Sequence, residues 1–262
     1  MTNTKCLNCD KELSDTFCSG CGQKADTHRI TFKNFFYHDL LHGAFHIEKG
    51  MLFTAKESLL NPGKAALNYI SGKRKRYYNV FLLILITIGV MLFVRHLDEV
   101  FGSHDSKIVV EKVFPNEASA KLDKIITQKI FIFLFVPIAS INTFLLFRRK
   151  TLNLSEHFII SGMILLGILL IGTFANIMFN INYMTIQLND MILSWLVTAI
   201  IVLYVGYGYF KTFRDKYSAF SLTYRILLFF ALLCIEVTVL ILVIFGFLTN
   251  WKFGKILLSP FN

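Results

Sequence analysis

Two pairs of cysteines open the chain, Cys6 with Cys9 and Cys18 with Cys21, in the pattern C-x2-C-x8-C-x2-C. Each C-x-x-C turn can present two thiolates to one tetrahedral ion. Four thiolates suit Zn2+, with iron the main rival. Gly20 and Gly22 give the second turn a permissive backbone. The loop between the pairs is too short to enclose a core. Metal binding must then supply the folding energy, about 10–16 kcal/mol in zinc peptides. Four thiolates leave no open coordination position, which argues against a catalytic zinc. A redox dithiol competes for a lone C-x-x-C, and the second paired copy argues against it. Such a ribbon can dock proteins, bind nucleic acid or cap a chain end, and the spacing does not choose among these. Cys234 lies in an apolar run and reads as a packing residue.

Other residues able to do chemistry are sparse. His38, His42 and His46 recur every four residues. One ion could use two of them, and the competing reading is an interfacial polar stripe. Lys73, Arg74, Lys75 and Arg76 form a basic run. At a membrane boundary each cation attracts anionic lipid by roughly 1 kcal/mol, and the run could instead hold a phosphorylated ligand. Within apolar runs lie Glu236, Asn142 and Asn176. A lone carboxylate at mid-membrane costs ~2.5–3.5 kcal/mol on insertion scales. Glu236 is therefore expected to face other helices and take a donor such as Asn142 or Asn176. It then serves either as a structural hydrogen bond or as a proton or cation carrier. Glu156 and His157 form an isolated pair, expected to be solvated. No Ser-His-Asp, paired-carboxylate or metal-hydrolase arrangement can be assembled, and no Gly-rich phosphate loop or internal repeat is visible. The expected protein is not an enzyme.

The elements that must position these residues follow from composition. The chain has 262 residues, 55% hydrophobic and 17% charged, far more apolar than a soluble domain. Five apolar runs, 79–94, 130–147, 158–179, 191–210 and 226–248, approach or exceed the length that crosses about 30 Å of hydrocarbon. Tyr77 and Tyr78 lengthen the first. Lipid leaves backbone groups no water, so the runs should be helices. Pro137 should bend the second rather than end it. The polar, cysteine-rich start is not a cleavable signal peptide.

Lys and Arg set the orientation. They gather at 73–76, at 148–150 and at 211–225, all on one side if five runs cross. The expectation is an N-terminus inside and a C-terminus outside, with the cysteines reduced in the cytoplasm. Between ribbon and membrane, Phe32, Phe35, Phe36, Leu40 and Phe45 alternate with polar residues, as in a helix lying on the membrane surface. A second short helix should start at Asn61–Pro62 and end at Gly72. Phe210, Phe213, Tyr217, Phe220 and Tyr224 suggest another interfacial helix.

The stretch "CLNCDKELSDTFCSGCGQK" resembles the short zinc-ribbon module of many bacterial proteins, with Phe before the third cysteine and Gly-Gln after the fourth. The segments "LLNPGKAALNYISGKRKRYYN" and "YVGYGYFKTFRDKY" resemble an uncharacterised family of bacterial multi-pass membrane proteins. In that family a zinc ribbon precedes a Pro-Gly turn, a Gly-Lys-Arg-x-x-Tyr motif and several membrane helices. The resemblance implies an architecture and no activity. The chain departs from it at Asn79, where a proline is expected soon after the Tyr. A weaker similarity is to the Yip-type five-helix proteins of vesicle trafficking, which share a Pro-Gly before the first helix and a cytosolic N-terminus.

The expected protein is all-α, with five transmembrane helices, a zinc ribbon over 1–26, cytoplasmic amphipathic helices over 27–76 and the membrane domain over 77–262. The expected setting is the bacterial inner membrane, and the expected role is that of a non-enzymatic scaffold or regulator. The ribbon would dock a protein partner, anionic lipids would meet the basic run, and nucleic acid is not an expected partner. The alternative is a permeation or lipid-handling protein built around Glu236.

Overall fold

A computed structural model of the chain describes residues 4–25, 50–101, 129–185 and 189–248. Its helices are α1 (Gly50–Leu60), α2 (Pro62–Ile70), α3 (Val80–Phe101), α4 (Lys129–Leu146), α5 (Leu154–Thr185), α6 (Asp190–Phe213) and α7 (Ala219–Leu248). A 3-10 turn, Arg148–Lys150, joins α4 to the residues before α5. Among the described residues there is no strand, only isolated bridges between Lys5 and Glu12 and between Phe17 and Lys24.

Asparagines start three of the long helices, α3, α5 and α6. Asn79 Oδ1 accepts from the N–H groups of Phe81 (3.0 Å) and Leu82 (3.2 Å), so the position where the family resemblance leads one to expect a proline is a side-chain cap instead. Asn153 and Glu156 cap each other at the head of α5: Asn153 Oδ1 accepts from Glu156 N and Glu156 Oε2 accepts from Asn153 N, both at 2.8 Å. Asn189 Oδ1 accepts from Met191 N at 2.9 Å before α6. By contrast Asn61 sits at the start of α2 without a capping bond from its side chain; its Oδ1 meets the Tyr207 hydroxyl. Pro62 occupies the first turn of α2 as expected, and Gly72 follows the helix at φ +101.

Among the described residues four helices are long and apolar enough to cross a membrane, over Val80–Leu97, Leu154–Phe179, Met191–Phe213 and Ala219–Ile244. That corrects the expected five. The run 130–147 forms α4 and the helix continues through Pro137, but its described apolar stretch is only Leu134–Leu146. At the helical rise that stretch covers roughly 20 Å of the required ~30 Å.

Helix α5 is the axis of the bundle and packs against α1, α2, α3, α4 and α6. Ile159, Ile160, Met163, Ile164 and Leu166 on it are fully enclosed. The outer helices show the opposite surface. Trp195 and Leu203 on α6 and Leu227 and Ile235 on α7 are more than half exposed. So extended an apolar surface is unfavourable against water and suits lipid.

All the basic segments meet at one end. Arg225 Nη1 donates to Leu146 O, the Arg149 N–H donates to the Tyr217 hydroxyl (3.0 Å), and Lys150 pairs with Asp215 (2.9 Å). The 148–150 turn is thereby fixed to the α6–α7 connection. The start of α3 joins them through Val80 and Phe81 against Gly162 of α5.

Two segments expected as separate interfacial helices pack into the bundle. The first is the hairpin of α1 and α2, which packs on α5 and α6. Gly50 lies against the Arg76–Tyr78 backbone, while Ser58 at the other end of α1 bonds Met163 Sδ at 3.3 Å. The Tyr204 hydroxyl donates to Ser58 O and the Tyr207 hydroxyl to Leu60 O (3.2 Å). These tyrosines lie roughly 9–14 Å along α6 from its basic end, so the tip of the hairpin reaches that far down the bundle. The rest of the expected surface helix, including Phe32 to Phe45, lies outside the described residues. The second is the segment 210–224, which is no separate helix. It is the end of α6, a turn and the start of α7, because Phe213 and Tyr217 turn inward onto Phe147.

Candidate metal centre

Residues 4–25 fold as two copies of one knuckle. Cys6 N–H donates to Lys11 O (2.8 Å), Asp10 N–H to Cys6 O (2.9 Å) and Leu13 N–H to Thr4 O (2.9 Å). Twelve positions later Cys18 N–H donates to Gln23 O, Gly22 N–H to Cys18 O and Ala25 N–H to Thr16 O, each at 2.8 Å. Each copy turns through a left-handed residue, Asp10 at φ 58 and Gly22 at φ 72, a conformation that Asp tolerates and Gly favours. The chain thus holds an internal repeat that its side chains conceal.

The repeat brings the four cysteine sulfurs within 4.8 Å of one another. Cys6 Sγ and Cys21 Sγ are 3.6 Å apart, and Cys9 Sγ and Cys18 Sγ 3.5 Å. A tetrahedral ion with Zn–S bonds near 2.3 Å has S–S edges of about 3.8 Å. The four thiols fit a closed, four-sulfur metal site. N–H groups of Cys21 and Gly20 directed at the Cys18 sulfur hold its thiol down to about 6. The Lys11 N–H pulls Cys9 the same way, but the Cys18 sulfur, burial and the Cys21 and Cys6 sulfurs together push Cys9 up to about 12. Four thiols this close cannot all ionise until a cation neutralises them.

The knuckles are seated on the membrane side of the chain. Gln23 Nε2 donates to Gly72 O at 2.7 Å, and Gln23 Oε1 accepts from Lys75 N at 3.3 Å. Gly72 also leaves room for Leu7: a Cβ there would stand 2.6 Å from the Leu7 side chain. The Gly-Gln after the fourth cysteine is therefore the joint between ribbon and basic turn. Of that turn, Arg74 lies over the Tyr69 ring (5.8 Å) and Arg76 over Phe53 (5.1 Å). Arg74, Lys75 and Arg76 thus carry structural contacts in addition to their charge.

The remaining candidates divide. Asn142 Nδ2 donates to Glu236 Oε2 at 2.6 Å, which joins α4 to α7. Asn176 is half-buried and takes no part in that pair. His38, His42 and His46 lie outside the described residues. Glu156 and His157 are buried, contrary to the solvated pair expected. Glu156 is held by the cap, and His157 bonds Thr143 Oγ1 (3.0 Å) while stacking on Phe213. Cys234 is exposed on α7 rather than packed. Close packing missed by sequence reasoning involves Gly63, whose Cβ would stand 2.8 Å from both Gly208 O and Thr212 N of α6. Of the glycines on α5, Gly162 meets Phe81 and Gly167 meets Tyr204, while Gly172 has open space.

A family described as a protein of unknown function (DUF3667) matches residues 48–92. The match covers the hairpin, the basic turn and the first half of α3. Together with the apolar helices it fits a membrane family without assigned activity. No curated protein and no solved structure matches the chain.

Proposed function

We propose that this is a multi-pass protein of the bacterial inner membrane whose zinc-loaded ribbon faces the cytoplasm and acts as a docking or regulatory platform. The observation that carries this reading is the Gln23 bridge to Gly72 O and Lys75 N. It ties the metal knuckle to the turn that leads directly into α3, so a partner bound to the ribbon acts on the membrane domain through a fixed joint. A closed four-thiolate site supports structure rather than catalysis. Excess Lys and Arg at one end support a cytoplasmic assignment for that end. On this reading α3 leaves the basic end at Val80 and α4 returns to it at Leu146. The α1–α2 hairpin then dips into the membrane from the cytoplasmic side, its terminal carbonyls satisfied by Tyr204 and Tyr207.

The topology has a direct check. Single-cysteine probes at Ser106 and Ser259 should label from outside intact spheroplasts, and a probe at the exposed Ser218 should not. Labelling at Ser218 would reverse the orientation and remove the ribbon from the cytoplasm.

The platform role is tested by cross-linking in native membranes followed by purification. A partner should co-purify with the wild type and be lost from Cys18→Ser/Cys21→Ser. Retention of that partner without a metal ribbon would overturn the role. The rival reading, permeation or lipid handling around Glu236, predicts solute movement into vesicles that Glu236→Gln abolishes. The Asn142–Glu236 bond supports a structural role instead, since Gln can keep the shape and the hydrogen bond.

A further inference from the structure

Tyr217 is buried at the corner where the 148–150 turn meets the start of α7, and two guanidinium groups share its ring. Arg149 lies 5.3 Å from the ring centroid and Arg225 4.9 Å. Arg225 Nη1 is used by Leu146 O, but its Nε is buried without a hydrogen-bond partner. Lys150 is neutralised by Asp215. Among the described residues no carboxylate lies within ion-pair distance of Arg149 or Arg225. Arg148, Arg214 and Lys216 stand exposed nearby in the chain and add only positive charge.

Two like charges over one ring make this corner attractive to an anion. The planar guanidinium fork matches the oxygens of a phosphate. The surroundings select its source. Phe220 is 88% exposed and Tyr224 61%, one turn apart on α7 and beside Arg225 in the chain. Leu227 continues the exposed apolar surface away from the basic end. Exposed aromatics flanking a cationic corner are what a headgroup–acyl boundary favours.

We propose that Arg149 and Arg225, held by Tyr217, form a phosphate-oxyanion site that takes the headgroup of an anionic phospholipid. It is separate from the 73–76 run. The proposal rests on the reading that the chain crosses a membrane with this end at headgroup level.

The test titrates the full-length protein in detergent with phosphatidylglycerol or phosphatidylcholine and counts bound lipid by native mass spectrometry. The wild type should prefer phosphatidylglycerol. Arg149→Gln, which leaves the Arg225 cap on α4 intact, should weaken that lipid about fivefold, as expected for one interfacial cation. Arg225→Lys, which keeps the charge and loses the fork, should weaken it as well. Lys5→Gln, which removes an exposed charge on the ribbon, should leave it unchanged. A selective wild type with unaltered Arg149→Gln and Arg225→Lys would overturn this site alone. A wild type without preference would overturn the lipid site and leave the membrane placement to the cysteine-labelling test. Displacement of the lipid by millimolar inorganic phosphate would overturn the headgroup as ligand and assign the oxyanion site to soluble phosphate.

Discussion

With Cys18 and Cys21 both changed to serine, the purified protein is expected to carry no zinc, against about one ion per chain in the wild type. Two thiolates would remain, Cys6 and Cys9, on one knuckle. The knuckles have little else to hold them: apart from Cys6, Cys18 and Gln23 their described residues are exposed or half-exposed, and Phe17 is 58% exposed. Loss of the ion removes about 10–16 kcal/mol of folding energy that no apolar burial replaces. Residues 4–25 should then become sensitive to protease. The helical bundle should persist, because its core around Ile160, Ile164 and Leu166 makes no use of the ribbon. Elemental analysis, limited proteolysis and helical circular dichroism measure the three outcomes. Unchanged zinc would move the metal elsewhere, first to His38, His42 and His46. Collapse of the helices would make the ribbon part of the bundle's fold rather than a module seated upon it.

The metal ligands were legible because thiolate geometry demands them in pairs at short spacing. The repeat that arranges them was not. Its copies share backbone hydrogen bonds and a left-handed turn, and Asp10 stands in one where Gly22 stands in the other. Glu236 with Asn142 was legible for a different reason: a carboxylate among apolar residues is too costly without a donor, and few donors were available. The hairpin was opaque. Burying its tip depends on Tyr204 and Tyr207, which lie 146 and 147 positions from the carbonyls they serve. No local pattern in α1 announces that its end will be satisfied, so its sequence reads as a surface helix. The aromatic-basic stretch 210–224 misled for the same reason. Its spacing fits an amphipathic helix, while the packing of Phe213 and Tyr217 against Phe147 is set by a turn on another part of the chain.

The seat of that hairpin leads to the second large effect, at Gly63. A Cβ at this position would fall on Thr212 Oγ1 and stand 2.8 Å from Gly208 O and from Thr212 N. Two of these atoms are backbone of α6, and a Cβ on Gly208 would in turn stand 3.1 Å from Ile164 and 3.2 Å from Pro62. The helix cannot yield locally, so α2 must move away. Between lipid-embedded helices close contact is the main source of attraction, because lipid is as apolar as the side chains. Overpacking of this kind costs about 1–3 kcal/mol and occasionally more. Gly63→Ala should therefore lower the thermal midpoint in detergent, and Gly63→Leu should unseat the hairpin. Gly172→Ala supplies the contrast. Nothing lies within 4 Å of its Cβ, so alanine there should be neutral or gain up to ~1 kcal/mol of helix propensity. Cysteines at Asn61 and Tyr207 joined by a short bifunctional thiol reagent report the seating itself, since the tips of the native side chains approach to 3.4 Å and the shorter cysteines leave a gap that a direct disulfide cannot close. Cross-linking of that pair should be efficient in the parent and disappear with Gly63→Leu. Equal cross-linking and an equal midpoint in both would mean that the hairpin is not lodged against α6, and its entry into the membrane would fall with it.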